Sequence, residues 1–226
     1  MIAESDYSTR GWTIVPAFIG ANGLAEVFVR EMSEHPECPG ESSWGTRNLL
    51  YSMILSMRPK LVLEIGSHIG SGSVVIGAAL RANKFGTLYC LEPADHYFAI
   101  LSNFVEKAKL TEYVKPLKMF STDSNLKNIL SEPLDMIFLD ANHSYSHALS
   151  DIRFSHDMLA ENGLIFLDDV GQTISAELCK EGKGGVRQAL IDYLSDNSDL
   201  RAIFFEPPFW LNPCGLAIVC KQNVLI

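Results

Sequence analysis

The residues of this sequence best suited to chemistry are acids set at the ends of short apolar runs. Glu64 lies near the end of Leu61-Val62-Leu63-Glu64-Ile65, and Glu92 follows the run from Leu88 to Leu91. Asp140 follows Met136 to Leu139, and Asp168-Asp169 follow Leu164 to Leu167. An acid in such a place also caps a following helix, so any one of them is as well explained by capping as by function. Several runs delivering carboxylates to one edge point instead to a site. Asp140, Asp168 and Asp169 are hard oxygen donors, suited to Mg²⁺, Mn²⁺ or Ca²⁺ and not to a thiolate-seeking metal. His143, three residues past Asp140, hangs over the same edge. With an ordinary pKa near 6.5 it can take a proton at neutral pH; the plainer reading is a loop histidine bonded to backbone. His147 and His156 read as surface or packing residues, and His35 and His96 have no context.

Around Glu64 the sequence reads Glu64-Ile65-Gly66-Ser67-His68-Ile69-Gly70-Ser71-Gly72. An apolar strand broken at once by glycines and followed by the Val/Ile/Ala segment Ser73 to Leu80 is a strand–turn–helix unit. Such a unit brings backbone N–H groups and a helix N-terminus close to a ligand. A tight turn that binds nothing would need the same glycines. Glu92 shifts the balance: it ends the next strand about 20 residues beyond Gly70, the spacing at which an acid accepts hydrogen bonds from a ribose diol. Together the glycines and Glu92 imply an adenosine-bearing ligand.

The elements that must hold these residues alternate regularly. Strands are expected at 61–65, 88–91, 113–117, 136–139, 164–167, 202–205 and 216–220. Helices are expected after Ser43 to Met57, where Pro59 stops the first, and at 73–80, 95–108, 125–130, 145–159 and 186–194. That order predicts an α/β fold: a doubly wound, seven-stranded, mostly parallel sheet. Between Phe205 and Leu216 no helix fits, so the last two strands form a hairpin and the final strand runs antiparallel. Residues 1–42, rich in Pro and Gly, form an N-terminal extension to a main domain at 43–226. Leu24, Val27, Phe28 and Met32 give it one amphipathic helix. It would cap a pocket, pair with a second subunit in a homodimer, or cover the sheet; the sequence does not choose.

Bulk properties narrow the partners. The chain has 226 residues, 47% hydrophobic and 20% charged, enough for one domain with one sizeable core. Its net charge of −9, with no basic cluster, argues against nucleic acid and favours a small-molecule partner. No apolar run approaches the ~18 residues of a membrane span. The N-terminus has no secretory pattern. Cys38, Cys90, Cys179, Cys214 and Cys220 are odd in number and have no C-x-x-C spacing, as expected of reduced thiols in a cytoplasmic protein.

Taken together, Glu64-x-Gly66-x-His68-x-Gly70 with Glu92 resembles the cofactor motif of class I S-adenosylmethionine-dependent methyltransferases, over about Trp44 to Lys221. Asp140-Ala141-Asn142-His143-Ser144-Tyr145 and Leu167-Asp168-Asp169-Val170 resemble the metal motifs of divalent-cation-dependent small-molecule O-methyltransferases, the catechol, caffeoyl-CoA and macrocin-type enzymes. The resemblance implies that Glu64, Gly66, Ser67, His68, Gly70 and Gly72 hold the amino-acid end of S-adenosylmethionine and Glu92 its ribose. Thr122, in Ser121-Thr122-Asp123, falls where such enzymes contact adenine, and Asp140 borders the cofactor. It further implies that Asp140, Asp168 and Asp169 bind Mg²⁺ (or Mn²⁺ or Ca²⁺) and that His143 stands where the base does. Asp169 departs from the catechol enzymes, which have Asn there. The segment 171–185 is a candidate lid, and Trp44, Phe209 and Trp210 candidate walls of the acceptor pocket. The acceptor would be a small metabolite, such as a sugar, a phenol or a natural-product intermediate. A nicotinamide-dependent oxidoreductase shares the strand–glycine–helix start but wants G-x-G-x-x-G and leaves Asp168-Asp169 unexplained. A non-catalytic domain on the same fold has no need of the clustered acids.

Overall fold

In a computed structural model, the structure describes residues 31–32, 34–38, 42–172, 183–206 and 214–222. Most of the extension, most of the candidate lid, Phe209, Trp210 and the Trp44 side chain lie outside the described residues.

Strands are β1 (Leu61–Ile65), β2 (Thr87–Leu91), β3 (Val114–Leu117), β4 (Leu134–Leu139), β5 (Leu159–Asp168), β6 (Leu200–Phe205) and β7 (Leu216–Lys221). Helices are α1 (Trp44–Met57), α2 (Ser71–Asn83), α3 (Asp95–Lys107), α4 (Leu126–Ile129), α5 (Tyr145–Met158) and α6 (Gly185–Asp196). They form one seven-stranded sheet in the order β3-β2-β1-β4-β5-β7-β6. Pairings from β3 to β5 are parallel, whereas β7 runs antiparallel to both β5 and β6. The expected fold class and the terminal hairpin are therefore present.

β5 is longer than the apolar run that announces it. Its first half, Leu159 to Gly163, carries the exposed Glu161 and Asn162 and joins β4 across a register shift between Leu134 and Met136. A polar, bulged strand start has no apolar signature.

The period-two alternation of strand side chains divides the core in two. Val62, Met136, Phe138 and Phe166 pack on one face of the sheet with α2 and α3 residues such as Val75, Ile76 and Leu101. Leu63, Ile65, Ile137, Leu139, Ile165 and Leu167 pack on the other with Ala148 and Ile152 of α5 and Ala189 and Leu190 of α6. Two apolar layers fix the strand register, since a one-residue slip would exchange the faces. The parallel strands therefore end together, and their carboxyl ends form one rim in the order β3, β2, β1, β4, β5. No helix among the described residues is long and apolar enough to cross a membrane.

Candidate active site

The rim carries the expected acids, but each is used differently. Glu64 shares the strand face of Val62 and so points under α2, away from the rim. It is 1% exposed, and the Ser73 hydroxyl donates to it. Its carboxylate fills the space that a Cβ on Gly72 would need. Ser67 and Gly70 likewise support the turn: Ser67 N–H donates to Leu91 O at 3.0 Å and Gly70 N–H to Ser67 O at 2.7 Å. Gly70 (φ +97°) and His68 (φ +47°) both have left-handed backbone. Of the glycine-loop residues singled out by sequence, Gly66 and His68 line the adjoining cavity, while Glu64, Ser67, Gly70 and Gly72 do not. Gly66 is required by close approach, because a Cβ there would lie 2.5 Å from Ala141 Cα.

That cavity holds about 900 Å³ and runs along the rim from β3 to β4. At its β3 end are Met119, Phe120, Ser121 and Thr122; next come Glu92, then Gly66 and His68, then Asp140 to His143. Glu92, 6% exposed, accepts backbone N–H groups from His68 and Ala94, both at 2.9 Å. Each of its oxygens retains a lone pair for a further donor, as recognition of a diol needs. The His68 ring stacks obliquely on Tyr97 with centroids 4.2 Å apart, which fixes that wall.

Beyond Asp140 the cavity meets a group of metal-ligand type. One donor atom each from Asp140, His143 and Asp169 lies within 4.8 Å of the others. Asp140 ends β4, His143 sits in the turn before α5, and Asp169 follows β5 with φ +59°, a left-handed conformation that Asp and Asn tolerate best. Asp168 is not in that group. Its Oδ1 accepts the Asp169 N–H at 3.1 Å and the Thr46 hydroxyl at 3.5 Å, so it holds the β5 end to α1. His143 Nε2 is 2.5 Å from Asp169 Oδ2, yet the angles are not those of a hydrogen bond and this buried nitrogen makes none. The two atoms stand at ion-pair distance, with charge on both sides only when the imidazole is protonated. Interaction with Asp169 raises the His143 pKa, opposed by burial and helped by the charges of Asp169 and Asp168. Two carboxylates facing a ring nitrogen with no aligned hydrogen bond form a donor set that fits a divalent cation.

Several site residues were missed by sequence reading. Cys214, in the turn just before β7, bonds Asp169 through its thiol, so a cysteine stands beside the acids. Strand pairing brings it there: Asp168 faces Leu216, and Gly171 N–H donates to Cys214 O at 2.5 Å. Burial first, then the charges of Asp169, Asp168 and Asp140, push the thiol up to about 12, so it stays protonated and is no nucleophile. His147, expected to be a surface or packing residue, lines the cavity, because α5 presents its first turns to the rim. Asp151, also on α5, accepts from the Ser121 hydroxyl at the cavity's β3 end. It sits with Ala148, Ile152 and Ser155 on the buried face of α5. An acid within an apolar helical stripe was the available signal.

Asp151 is 8% exposed, and burial raises its pKa, with the Ser121 hydrogen bond and His147 opposing. A carboxyl whose folded pKa exceeds its unfolded value near 4 loses stability as pH rises between the two. Asp151→Asn is therefore expected to melt above the unsubstituted protein at neutral pH. The gap should close below about pH 4, where both folded and unfolded carboxyls are protonated. Melting curves over that pH range check it; a variant that melts lower at neutral pH contradicts it.

Comparison with known proteins agrees with this architecture. Residues 63–170 match the family model described as a methyltransferase domain. The Bacillus cereus O-methyltransferase in complex with SAH superposes with a TM-score of 0.74 at 16% identity, covering 96% of this chain and 99% of that one. The Streptomyces achromogenes O-methyltransferase TomG, involved in tomaymycin synthesis and solved with SAM, gives 0.73 at 16% identity, covering 98% and 99%. A putative caffeoyl-CoA O-methyltransferase from Staphylococcus aureus gives 0.72 at 19% identity, covering 95% and 100%. The fold is therefore the one these O-methyltransferase structures share. The match to the methyltransferase-domain model runs from the middle of β1 to just past the end of β5.

Proposed function

We propose that this protein moves the methyl group of S-adenosylmethionine to an oxygen of a small acceptor, with a divalent cation held by Asp140, Asp169 and His143. One observation carries the reading: Asp140 and His143 belong both to the cavity lining and to the cation-type group. A ligand filling the cavity thus ends where an acceptor oxygen would be held.

The sulfonium, when bound, supplies a methyl on a good leaving group, so the protein's task is alignment and an electron-rich oxygen. Glu92, held in place by its two backbone donors, would accept the ribose hydroxyls. Gly66 lets the ligand approach β1 and β4, and the His68–Tyr97 pair closes one side. A divalent cation supplies Lewis acidity that lowers the pKa of an acceptor hydroxyl. Asp140 and Asp169 bring the negative charge for that cation, and His143 the third donor. Asp168 bonds the Asp169 backbone and so orients its neighbour. The net charge of −9 favours neutral or weakly charged acceptors such as sugars and phenols over polyanions.

Chelation is the test. Turnover on an acceptor panel is expected to fall to background with EDTA and to return with Mg²⁺ or Mn²⁺. Unchanged turnover after exhaustive chelation would remove the cation from the reading. Tight NADH binding with none of S-adenosylhomocysteine would remove the methyl donor and revive the oxidoreductase alternative.

A further inference from the structure

Asp169, one of the three cation-type donors, holds a left-handed backbone at φ +59°. A residue keeps so sparsely populated a conformation only where its surroundings over-determine it. On the N-terminal side, the Asp169 N–H donates to Asp168 Oδ1 at 3.1 Å. On the C-terminal side, the peptide unit joining Val170 to Gly171 is held at both ends. Its N–H donates to Cys214 O at 2.5 Å, and its carbonyl oxygen accepts from Arg187 Nη1 at 2.9 Å. The Val170 side chain is buried, and β7 approaches so closely that a Cβ on Gly215 would lie 2.6 Å from Gly171 N.

Arg187 stands in the first turn of α6 and is itself braced. The same Nη1 donates to Glu206 Oε1 at 2.5 Å, and the guanidinium carbon lies 4.9 Å from the centroid of the Phe204 ring. Neither Arg187 nor Glu206 lines the cavity, so any influence on the site runs through the backbone they hold. We propose that Arg187 is a positioning residue for the cation: it locks the Val170–Gly171 peptide and so keeps the Asp169 carboxylate turned toward Asp140 and His143. Released, Asp169 relaxes toward an ordinary backbone and its carboxylate leaves the group. The charge of Arg187 acts in the opposite sense. It repels the ion that the group binds, so removing the charge alone would tighten cation binding. The direction of the effect therefore separates positioning from electrostatics.

The proposal rests on the cation reading, and its test keeps the two apart. The whole chain is titrated with Mn²⁺, and the free ion is counted by electron paramagnetic resonance. Arg187→Met keeps an unbranched stem beside Phe204 but has no donor. It should bind Mn²⁺ roughly tenfold or more weakly, as the loss of a group that orients a metal ligand does. Its melting curve shows that it is folded; Arg187→Gln, shorter and uncharged, should behave alike and serves if the methionine variant does not fold. Asp169→Gly has no carboxylate to position and accepts the left-handed backbone. Adding Arg187→Met to it should change Mn²⁺ affinity by less than about twofold, because residues that act through one another are not additive. Unchanged or tighter Mn²⁺ binding by folded Arg187→Met overturns the proposal. A full loss repeated in the Asp169→Gly background overturns it too, and in both cases the cation reading stands. No Mn²⁺ binding by the unsubstituted protein overturns the cation reading and the proposal together.

Discussion

Asp140→Asn is expected to lower turnover by about three orders of magnitude, roughly 4 kcal/mol of barrier, while S-adenosylhomocysteine affinity changes only a few-fold. The substitution keeps size and shape, so the backbone of Asp140 against Gly66 and its N–H bond to Ile65 O at 3.0 Å survive. What it removes is one negative charge from a group that sits where cavity and donor set meet. Asp169→Asn should be milder, about tenfold, with weaker cation binding. Asn tolerates the left-handed backbone of that position and still offers an oxygen. Asp168→Asn should act on stability more than on turnover, since Asp168 binds Thr46 and the Asp169 backbone. Steady-state kinetics at saturating cation, beside ligand titrations, rank the three. Should Asp140→Asn keep more than a tenth of the turnover, its charge is not part of the chemistry.

The rim was legible in the sequence because it follows from two local patterns. Apolar runs give strands, alternation gives parallel order, and the acids after Leu91, Leu139 and Leu167 then fall on one edge whatever the loops do. The expected strand over 61–65 matches β1 residue for residue. Which way each acid turns depends on quantities of another kind. Glu64 differs from Glu92 by its depth in the sheet: it pairs with Cys90, two residues short of Glu92, and so lies under α2 where it meets Ser73. His143 and Asp168 divide differently from expectation in the same way. The turn before α5 brings the imidazole to Asp169, while the strand end commits Asp168 to α1. Cys214 and Asp151 reach the site only through tertiary pairing, β7 against β5 and α5 against the β3 loop. A sequence states which residues reach the edge; the packing of the second layer decides which of them face the ligand.

Gly66→Ala should be the most damaging single methyl in the chain. At φ +90° an L-residue is strained by about 1–2 kcal/mol. The added carbon would also press on the Asp140 carbonyl oxygen and come within 2.5 Å of Ala141 Cα. Those obstacles are backbone, pinned by the β1–β4 pairing of Ile65 with Leu139, so relief requires β1 and β4 to separate at the rim. With an overpacking cost of about 1–3 kcal/mol, the total loss is roughly 2–5 kcal/mol. That corresponds to a melting temperature lower by on the order of 10 °C for a domain of this size. Separation of the strand ends would also displace Asp140 from His143 and Asp169, so cofactor and cation binding should weaken together. Gly72→Ala is the informative contrast, since its obstacle is mainly the Glu64 carboxylate, a side chain that can rotate. It should lose stability while the Asp140 group keeps its cation affinity. If Gly66→Ala melts normally and still binds S-adenosylhomocysteine, the β1 and β4 turns are not locked together, and the cavity does not owe its shape to that contact.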